Sequence, residues 1–184
     1  MSPPLARTRA GLALGLLALA LTAAPALAGR GPTLSSLQRE LQPALAAKDM
    51  GAAEQVLVQI AAVDDDKALK LILGLALKAE EAELFEACRR ALAQLQGPQA
   101  IAEAAKLLAN PRGPFEPRVL VAEAFGSVQG EPVVPALVAA LQSDPDATVR
   151  REAAAALGRK RDRRALQALC EAYAAEEADK GRLF

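Results

Sequence analysis

The chain has no histidine and no tryptophan, and its remaining aromatic residues are four phenylalanines and one tyrosine among 184 residues. Without histidine it lacks the commonest general base and a frequent metal ligand. The few serines lie near predicted helix ends and turns outside any nucleophile motif, and no glycine-rich phosphate loop is present. Hydrolysis by paired carboxylates would need a cleft lined by stacking aromatics. We therefore expect a protein that is not an enzyme, with no cofactor and no metal site.

Cysteine is also scarce, since Cys88 and Cys170 are the only two. Two cysteines cannot build a disulfide framework. Both fall on the apolar stripes predicted for their helices, so the simplest interpretation is that each is a small buried hydrophobe. A single bridge between Cys88 and Cys170 is the alternative, although the two residues belong to different repeat units.

The charge is balanced, with 22 basic and 22 acidic residues, so nothing global points to nucleic acid or an anionic surface. One local basic cluster comprises Arg150, Arg151, Arg159, Lys160, Arg161, Arg163 and Arg164. Acidic residues interrupt this cluster, and no aromatic residues are interleaved for base stacking. We expect it to have a mainly structural role, with some steering of a partner, and we expect no nucleic-acid partner.

The N-terminus has the pattern of a targeting segment. Arg7 and Arg9 precede a short uncharged apolar run, and Ala26-Leu27-Ala28 supplies a small-x-small cleavage site. The apolar run is shorter than the roughly 20 residues that span a bilayer. The pattern predicts a cleaved signal peptide over 1–28 and a leader over 29–33, hence a periplasmic or extracellular protein with no membrane span after cleavage. An uncleaved anchor is the alternative.

The rest of the chain is rich in alanine, leucine, glutamate, lysine and arginine, which favour helix. An apolar stripe with helical spacing recurs every 32 or 33 residues. Its four occurrences are Ala68, Leu71, Ile72 and Leu75; Ile101, Ala104, Ala105 and Leu108; Val134, Leu137, Val138 and Leu141; and Leu166, Leu169, Cys170 and Tyr173.

A second stripe with the same period marks the partner helices. Its occurrences are Leu84, Cys88, Ala91 and Leu92; Pro117, Val121, Ala124 and Phe125; and Val149, Ala153, Ala156 and Leu157. Each helix pair exposes an apolar face that only the next pair can cover. The pattern predicts an all-α fold, a right-handed α-solenoid of about four antiparallel helix pairs plus a C-terminal helix.

The predicted solenoid covers 34–177, with pairs at about 34–62, 64–95, 98–127 and 131–158, a final helix at 162–177, and a tail at 178–184. Gly126 and Gly158 follow the last core residue of a second helix, where a left-handed cap needs no side chain. Asp64-Asp65-Asp66 is expected to cap a helix N-terminus. A divalent cation site at these three aspartates is the alternative.

The stretch from Glu131 to Tyr173, with DPDATVRREAAAALGRKRD at its centre, resembles HEAT repeats of the bacterial subgroup that also includes phycobilin lyase relatives. The resemblance implies a ladder of side chains between repeats. Arg150 aligns with Arg118 as its arginine, and Asp144 and Asp146 match its acidic turn positions. It also implies that a proline kink at Pro135, inside a first helix, is tolerated.

In the HEAT-like family the second helices line the concave surface. The positions opposite the core stripe carry Arg151 and Glu152 in one repeat, and Val119 and Leu120 in the repeat before it. With Glu123, these residues are the expected protein-binding surface, on which Val119 and Leu120 would form a small apolar patch. The alternative is that helix 115–127 is more buried than its neighbours.

The resemblance implies a non-catalytic scaffold or adaptor that binds a protein partner. The predicted signal peptide places it in the cell envelope, and we expect it to be a monomer. Two other functions stay open. Phycobilin lyase relatives bind a bilin or help to attach it, and GAAEQVLVQIA near the N-terminal end is equally compatible with a peptide-binding tetratricopeptide-like module.

Overall fold

The computed structural model describes residues 32–181, with side chains to residue 175. The predicted signal peptide lies outside the described residues, as does most of the leader. The described part of the chain consists of helices joined by short turns, without strands. The helices are α1 (Leu34–Ala46), α2 (Met50–Ala61), α3 (Asp66–Lys78), α4 (Ala82–Leu92), α5 (Pro98–Leu108), α6 (Phe115–Phe125), α7 (Val133–Ser143), α8 (Ala147–Lys160) and α9 (Arg163–Gly181).

The helices pack as successive pairs. α1 packs on α2, α3 on α4, α5 on α6 and α7 on α8, and α9 follows the last pair. The second helices α2, α4, α6 and α8 lie side by side in one layer, and the first helices α3, α5, α7 and α9 form the other. This arrangement confirms the predicted all-α solenoid of helix pairs with a C-terminal helix.

The core lies between the two layers and follows the two stripes. Phe125, Leu57, Leu92, Leu137 and Leu157 are among its largest fully buried side chains. Many of the other core positions are alanine, which lets neighbouring helices approach closely but buries little apolar surface. Each buried leucine contributes roughly 1.5–3 kcal/mol, so a small number of large side chains supply much of the apolar burial.

The three consecutive aspartates are used at two helix N-termini. Asp65 is the N-cap of α3 and accepts a hydrogen bond from the Lys67 N–H at 2.8 Å, while Asp66 pairs with Lys70 at 2.6 Å. Asp64 instead accepts from the Gln99 N–H at 2.6 Å, so it caps α5, which has no capping side chain of its own. Two of the three carboxylates therefore cap helices and the third pairs with a lysine, and among the described residues no cluster suited to a metal ion is found.

The predicted left-handed cap is wrong for both glycines, although Gly126 is the C-cap of α6. α8 continues through Gly158 to Lys160 and ends at Arg161, which takes the left-handed conformation with φ 52°. Gly126 has right-handed φ, −57°. A Cβ atom at Gly126 would meet the Arg159 guanidinium, which is the end of a flexible side chain and can move aside.

The predicted proline kink is not needed. Pro135 is the third residue of α7, in the first turn, where backbone N–H groups have no partner within the helix. Its missing N–H therefore breaks no helical hydrogen bond. The proline that does lie inside a helix is Pro43 of α1, close to the C-terminal end of that helix.

The last helix departs from its predicted register and length. α9 runs to Gly181, beyond the predicted end at 177. Its buried positions are Ala165 and Ala168, whereas Leu166, Cys170 and Tyr173 are exposed. The prediction that both cysteines are buried is thus right for Cys88 and wrong for Cys170, and both are free thiols. The reason is that no further helix of the described chain packs on this side of α9.

Candidate protein-binding face

The outer side of the second helices carries interlocking ion pairs from one repeat to the next. We call it the second-helix face and define it by Glu54 of α2, Glu86, Arg89 and Arg90 of α4, Glu123 of α6, and Arg151, Glu152 and Arg159 of α8. Contacts between consecutive members of the layer bring Glu54, Arg89, Arg90, Glu123 and Arg159 into a linked row. Arg151 lies beside Glu152 on α8 and lines a groove towards α9.

The first link joins α2 to α4. The Arg90 guanidinium donates to both carboxylate oxygens of Glu54, at 2.6 and 2.8 Å. This bidentate geometry is the strong form of an arginine–carboxylate contact. Hydrogen bonding to Arg90 lowers the pKa of the Glu54 carboxyl, and hydrogen bonding to Glu54 raises the pKa of Arg90. Both groups therefore stay charged across the neutral pH range.

The second link joins α4 to α6 and α8. Arg89 pairs with Glu86 on its own helix at 2.9 Å and with Glu123 on α6. Arg159 of α8 donates to the Glu123 backbone carbonyl at 3.1 Å. A shallow cavity of about 240 Å³ opens between these side chains, lined by three arginines (Arg89, Arg90 and Arg159) and by Glu123 as its acidic residue. The cavity therefore has an excess of positive charge.

Beneath this face, Arg118 and Asp144 form a buried ion pair between two repeats. Arg118 of α6 donates to the two carboxylate oxygens of Asp144, at the end of α7, at 2.8 and 3.0 Å. Both side chains are no more than 3% exposed. Arg118 also donates to the Gly113 carbonyl, so one guanidinium joins the turn of its own repeat to the turn of the next.

Arg150 and Asp146, the other residues predicted for the inter-repeat ladder, complete the same turn. Arg150 donates to the backbone carbonyls of Asp144 and Pro145, at 2.9 and 3.1 Å. Asp146 is the N-cap of α8, and its hydrogen bond from the Val149 N–H is the largest cause of its lowered pKa. The structure thus brings all four predicted ladder residues together around one turn.

The predicted apolar patch is not an exposed surface. Leu120 is only 6% exposed and belongs to the core, and Val119 is half-buried against it. The alternative interpretation, that helix 115–127 is more buried than its neighbours, is correct. α6 is the central second helix and contacts α3, α4, α5, α7 and α8, which leaves little of its surface to solvent.

The three charged residues of the predicted surface have different environments. Glu123 is half-buried and tied to Arg89, as described above. Arg151 is exposed, with 73% of its side chain accessible, and its neighbour Glu152 lies 3.5 Å away. The predicted basic cluster is likewise divided among separate contacts, because Arg164 pairs with Asp162 and Lys160 donates to the Val128 carbonyl. Arg151 is thus a basic side chain open to a partner.

Sequence reasoning missed the links through Glu54, Arg89 and Arg90. A signal for one of them exists in the spacing, because Glu54 and Arg90 are 36 residues apart. When two second helices lie side by side, an acidic residue of one can pair with an arginine of the next if the two are separated by slightly more than one repeat. The signal is weak, since charged residues are frequent on any exposed helix.

The stacked helix pairs place this protein in the class of α-solenoids. Within that class, the family model of HEAT repeats matches residues 112–183, which is less than half of the chain and covers α6 to α9. The match supports the predicted HEAT-like family for these helices. No curated protein is significantly similar in sequence to the chain. None of the helices within 32–181 is both long and apolar enough to cross a membrane.

Proposed function

We propose that this protein is a non-catalytic scaffold of the cell envelope that binds a protein partner on the second-helix face. HEAT repeats generally serve as scaffolds for protein interactions. The observation that carries the proposal is the linked row of charges across α2, α4, α6 and α8. Such a row holds long side chains in fixed positions before a partner arrives, which reduces the entropy lost on binding.

The contact residues on this proposal are Glu123, Arg151 and Glu152, together with Arg89 and Arg159. Leu120 does not contact the partner directly, because it is buried, but it supports the helix that carries Glu123. The excess positive charge of the cavity favours a partner that presents acidic side chains, since guanidinium groups bind carboxylates in bidentate fashion.

The envelope location rests on the sequence of the first 28 residues. The basic, apolar and small-residue segments in that order favour export and cleavage before Gly29. Membership of the HEAT subgroup related to phycobilin lyases rests on the DPDATVRREAAAALG segment alone. The envelope location and the subgroup membership are both parts of the proposal, and identifying the partner would test them.

The experiment is a pull-down from a periplasmic extract with three forms of the protein, followed by mass spectrometry. The wild type is compared with Arg151→Glu, which reverses one exposed charge on the second-helix face. The matched control is Lys106→Glu, which makes the same reversal on α5, in the other layer, at a side chain that is 77% exposed. Circular dichroism melting checks that all three forms are equally folded.

We expect a specific partner to be captured by the wild type and by Lys106→Glu, and its recovery to fall at least tenfold with Arg151→Glu. Equal recovery by all three forms would place the binding surface elsewhere. Capture of chaperones alone would remove the main support for a scaffold. An absorbance change on adding a bilin would instead favour the lyase-like alternative.

A further inference from the structure

The exposed stripe of α9 is equivalent to stripes that are buried in the two preceding first helices. Leu166 occupies the repeat position of Ile101 and Val134, which are 4% and 7% exposed, yet Leu166 is 62% exposed. Tyr173 occupies the position of Leu108 and Leu141, which are 1% and 6% exposed, yet Tyr173 is 68% exposed. Cys170, between them, is also exposed.

Leu166 and Tyr173 are more exposed than their equivalents because α9 lacks a further neighbouring helix in the described chain, and not because the residue types are less apolar. α3 contacts α5, α5 contacts α7 and α7 contacts α9, and Ile101, Leu108, Val134 and Leu141 of the α5 and α7 stripes are buried. α9 has no such neighbour in the described chain. A groove of about 700 Å³ lies beside it, between α7, α8 and α9, lined by Leu141, Arg150, Ala154, Leu169, Ala172 and Tyr173 among others. The described C-terminal end of the solenoid thus exposes an apolar stripe of the kind that is buried between successive first helices elsewhere in the structure.

We propose that a second copy of this chain covers the stripe, with the two α9 helices packed antiparallel about a twofold axis near Cys170. In that arrangement Leu166 of one copy lies opposite Tyr173 of the other. Because a twofold interface uses the same surface on both copies, it closes at a dimer.

Two features of the chain favour a second α9 as the occupant. First, in the described chain the opposite end of the solenoid is the more polar one, because α1 exposes Gln38, Arg39 and Gln42. The groove there, lined in part by Leu41, Leu71 and Leu75, is smaller than the groove beside α9, at about 430 against 700 Å³, so head-to-tail stacking has less apolar surface to cover. Second, the charges along α9 are self-complementary when the helices run antiparallel.

The charge pattern of α9 is asymmetric along its sequence. The helix begins with Arg163 and Arg164, the second of which also pairs with Asp162, and the sequence of its last turns has three acidic residues and one basic residue (Glu176, Glu177, Asp179 and Lys180). An antiparallel pair places the basic start of each helix beside the acidic end of its partner, whereas a parallel pair would align like charges. Oppositely charged pairs at the rim of an apolar seam set orientation and partner choice.

The interface is small, so the dimer should depend on concentration. A helix of 19 residues is about 28 Å long, and one helix from each copy buries less than the roughly 1,600 Å² of a standard stable interface. We therefore expect a dissociation constant on the order of 1–100 µM. The proposal departs from the expected monomer because Leu166, Cys170 and Tyr173 are exposed.

The test is sedimentation equilibrium of the full chain between about 1 and 500 µM, a range that spans the expected dissociation constant. The average mass should rise from 19.1 kDa toward twice that value. Leu166→Asp and Tyr173→Asp should each abolish the rise. Leu77→Asp is the matched control, because Leu77 is an exposed leucine on α3 and is 48% accessible. This variant should dimerise like the wild type. A mass of 19.1 kDa at every concentration would overturn the proposal.

A short bismaleimide cross-linker gives an independent test of the position of the axis. Burial raises the pKa of the Cys88 thiol to about 11, so Cys170 is the thiol that reacts in the folded protein. We expect cross-linked dimers from the wild type and Leu77→Asp, and at least a tenfold loss with Leu166→Asp. Cys170→Ser should lose the cross-link but keep the mass increase. Association that survives Leu166→Asp, for example through residues 1–31, would overturn the proposal.

Discussion

Replacing Arg118 with methionine is expected to destabilise the protein strongly, because it isolates a buried carboxylate. Arg118→Met keeps the apolar stem but removes the two hydrogen bonds, of 2.8 and 3.0 Å, that Asp144 receives. The Asp144 side chain then has the Asp146 N–H, at 2.9 Å, as its remaining donor. Removing one member of a buried ion pair costs about 3–5 kcal/mol, a large fraction of the roughly 5–15 kcal/mol that stabilises a typical domain.

The assay is urea unfolding followed by circular dichroism, with the free energy of unfolding extrapolated to water. Arg150→Met is the matched control, since Arg150 holds the equivalent position one repeat later but donates to backbone carbonyls and is only half-buried. It should cost about 1–2 kcal/mol. The double variant Arg118→Met/Asp144→Leu should recover most of the loss, because both charges are gone. If Arg118→Met cost no more than Arg150→Met, the buried pair would not have the role we assign to it.

Three further substitutions test the packing, the turns and the caps. Phe125→Ala, which empties a fully buried site, should lower the free energy of unfolding by about 3–5 kcal/mol, and a barely shifted urea midpoint would contradict this. Gly97→Ala brings a Cβ within 2.6 Å of the Asp64 backbone and should cost about 1–3 kcal/mol, whereas the control Gly158→Ala meets nothing within 4 Å and should stabilise α8. Asp146→Asn tests pH dependence. The folded-state pKa of Asp146 is lowered, so its stabilisation is present above the unfolded pKa of about 3.9 and is lost as pH falls through the folded value. The stability difference between wild type and Asp146→Asn should therefore be constant near neutrality and shrink in acid, and a constant difference down to low pH would contradict the assignment.

The scaffold and dimer proposals use neighbouring surfaces, which meet at the groove that Arg151 and Tyr173 both line. The second-helix face crosses α2, α4, α6 and α8, whereas the proposed dimer contact lies on α9, at the end of the other layer. A dimer would therefore present two copies of the second-helix face, and a partner with repeated acidic sites could engage both. Two linked contacts raise the overall affinity without any new contact at either site.

The repeat period, the two apolar stripes and the helix pairs could all be predicted from the sequence. A stripe at helical spacing depends only on which residues a single helix must bury, and Cys88 and Phe125 are buried as that rule requires. Arg118 and Asp144 could each be identified from the HEAT-like pattern, whereas their pairing with each other is seen in the structure. The features read from the sequence are local or repeat-level properties, so a single sequence contains them.

Other features depended on how many neighbours each helix has. α6 and α9 carry similar apolar residues, but α6 is surrounded by other helices and α9 is covered on one side. Consequently Leu120 is buried although the pattern placed it outward, and Leu166 and Tyr173 are exposed although the pattern placed them inward. The bonds from Asp64 to α5 and from Arg90 to Glu54 likewise join repeats that only stacking brings together. The periodicity of the sequence shows which side of a helix is apolar. That side is buried only if another helix packs on it, and only the tertiary structure decides whether one does.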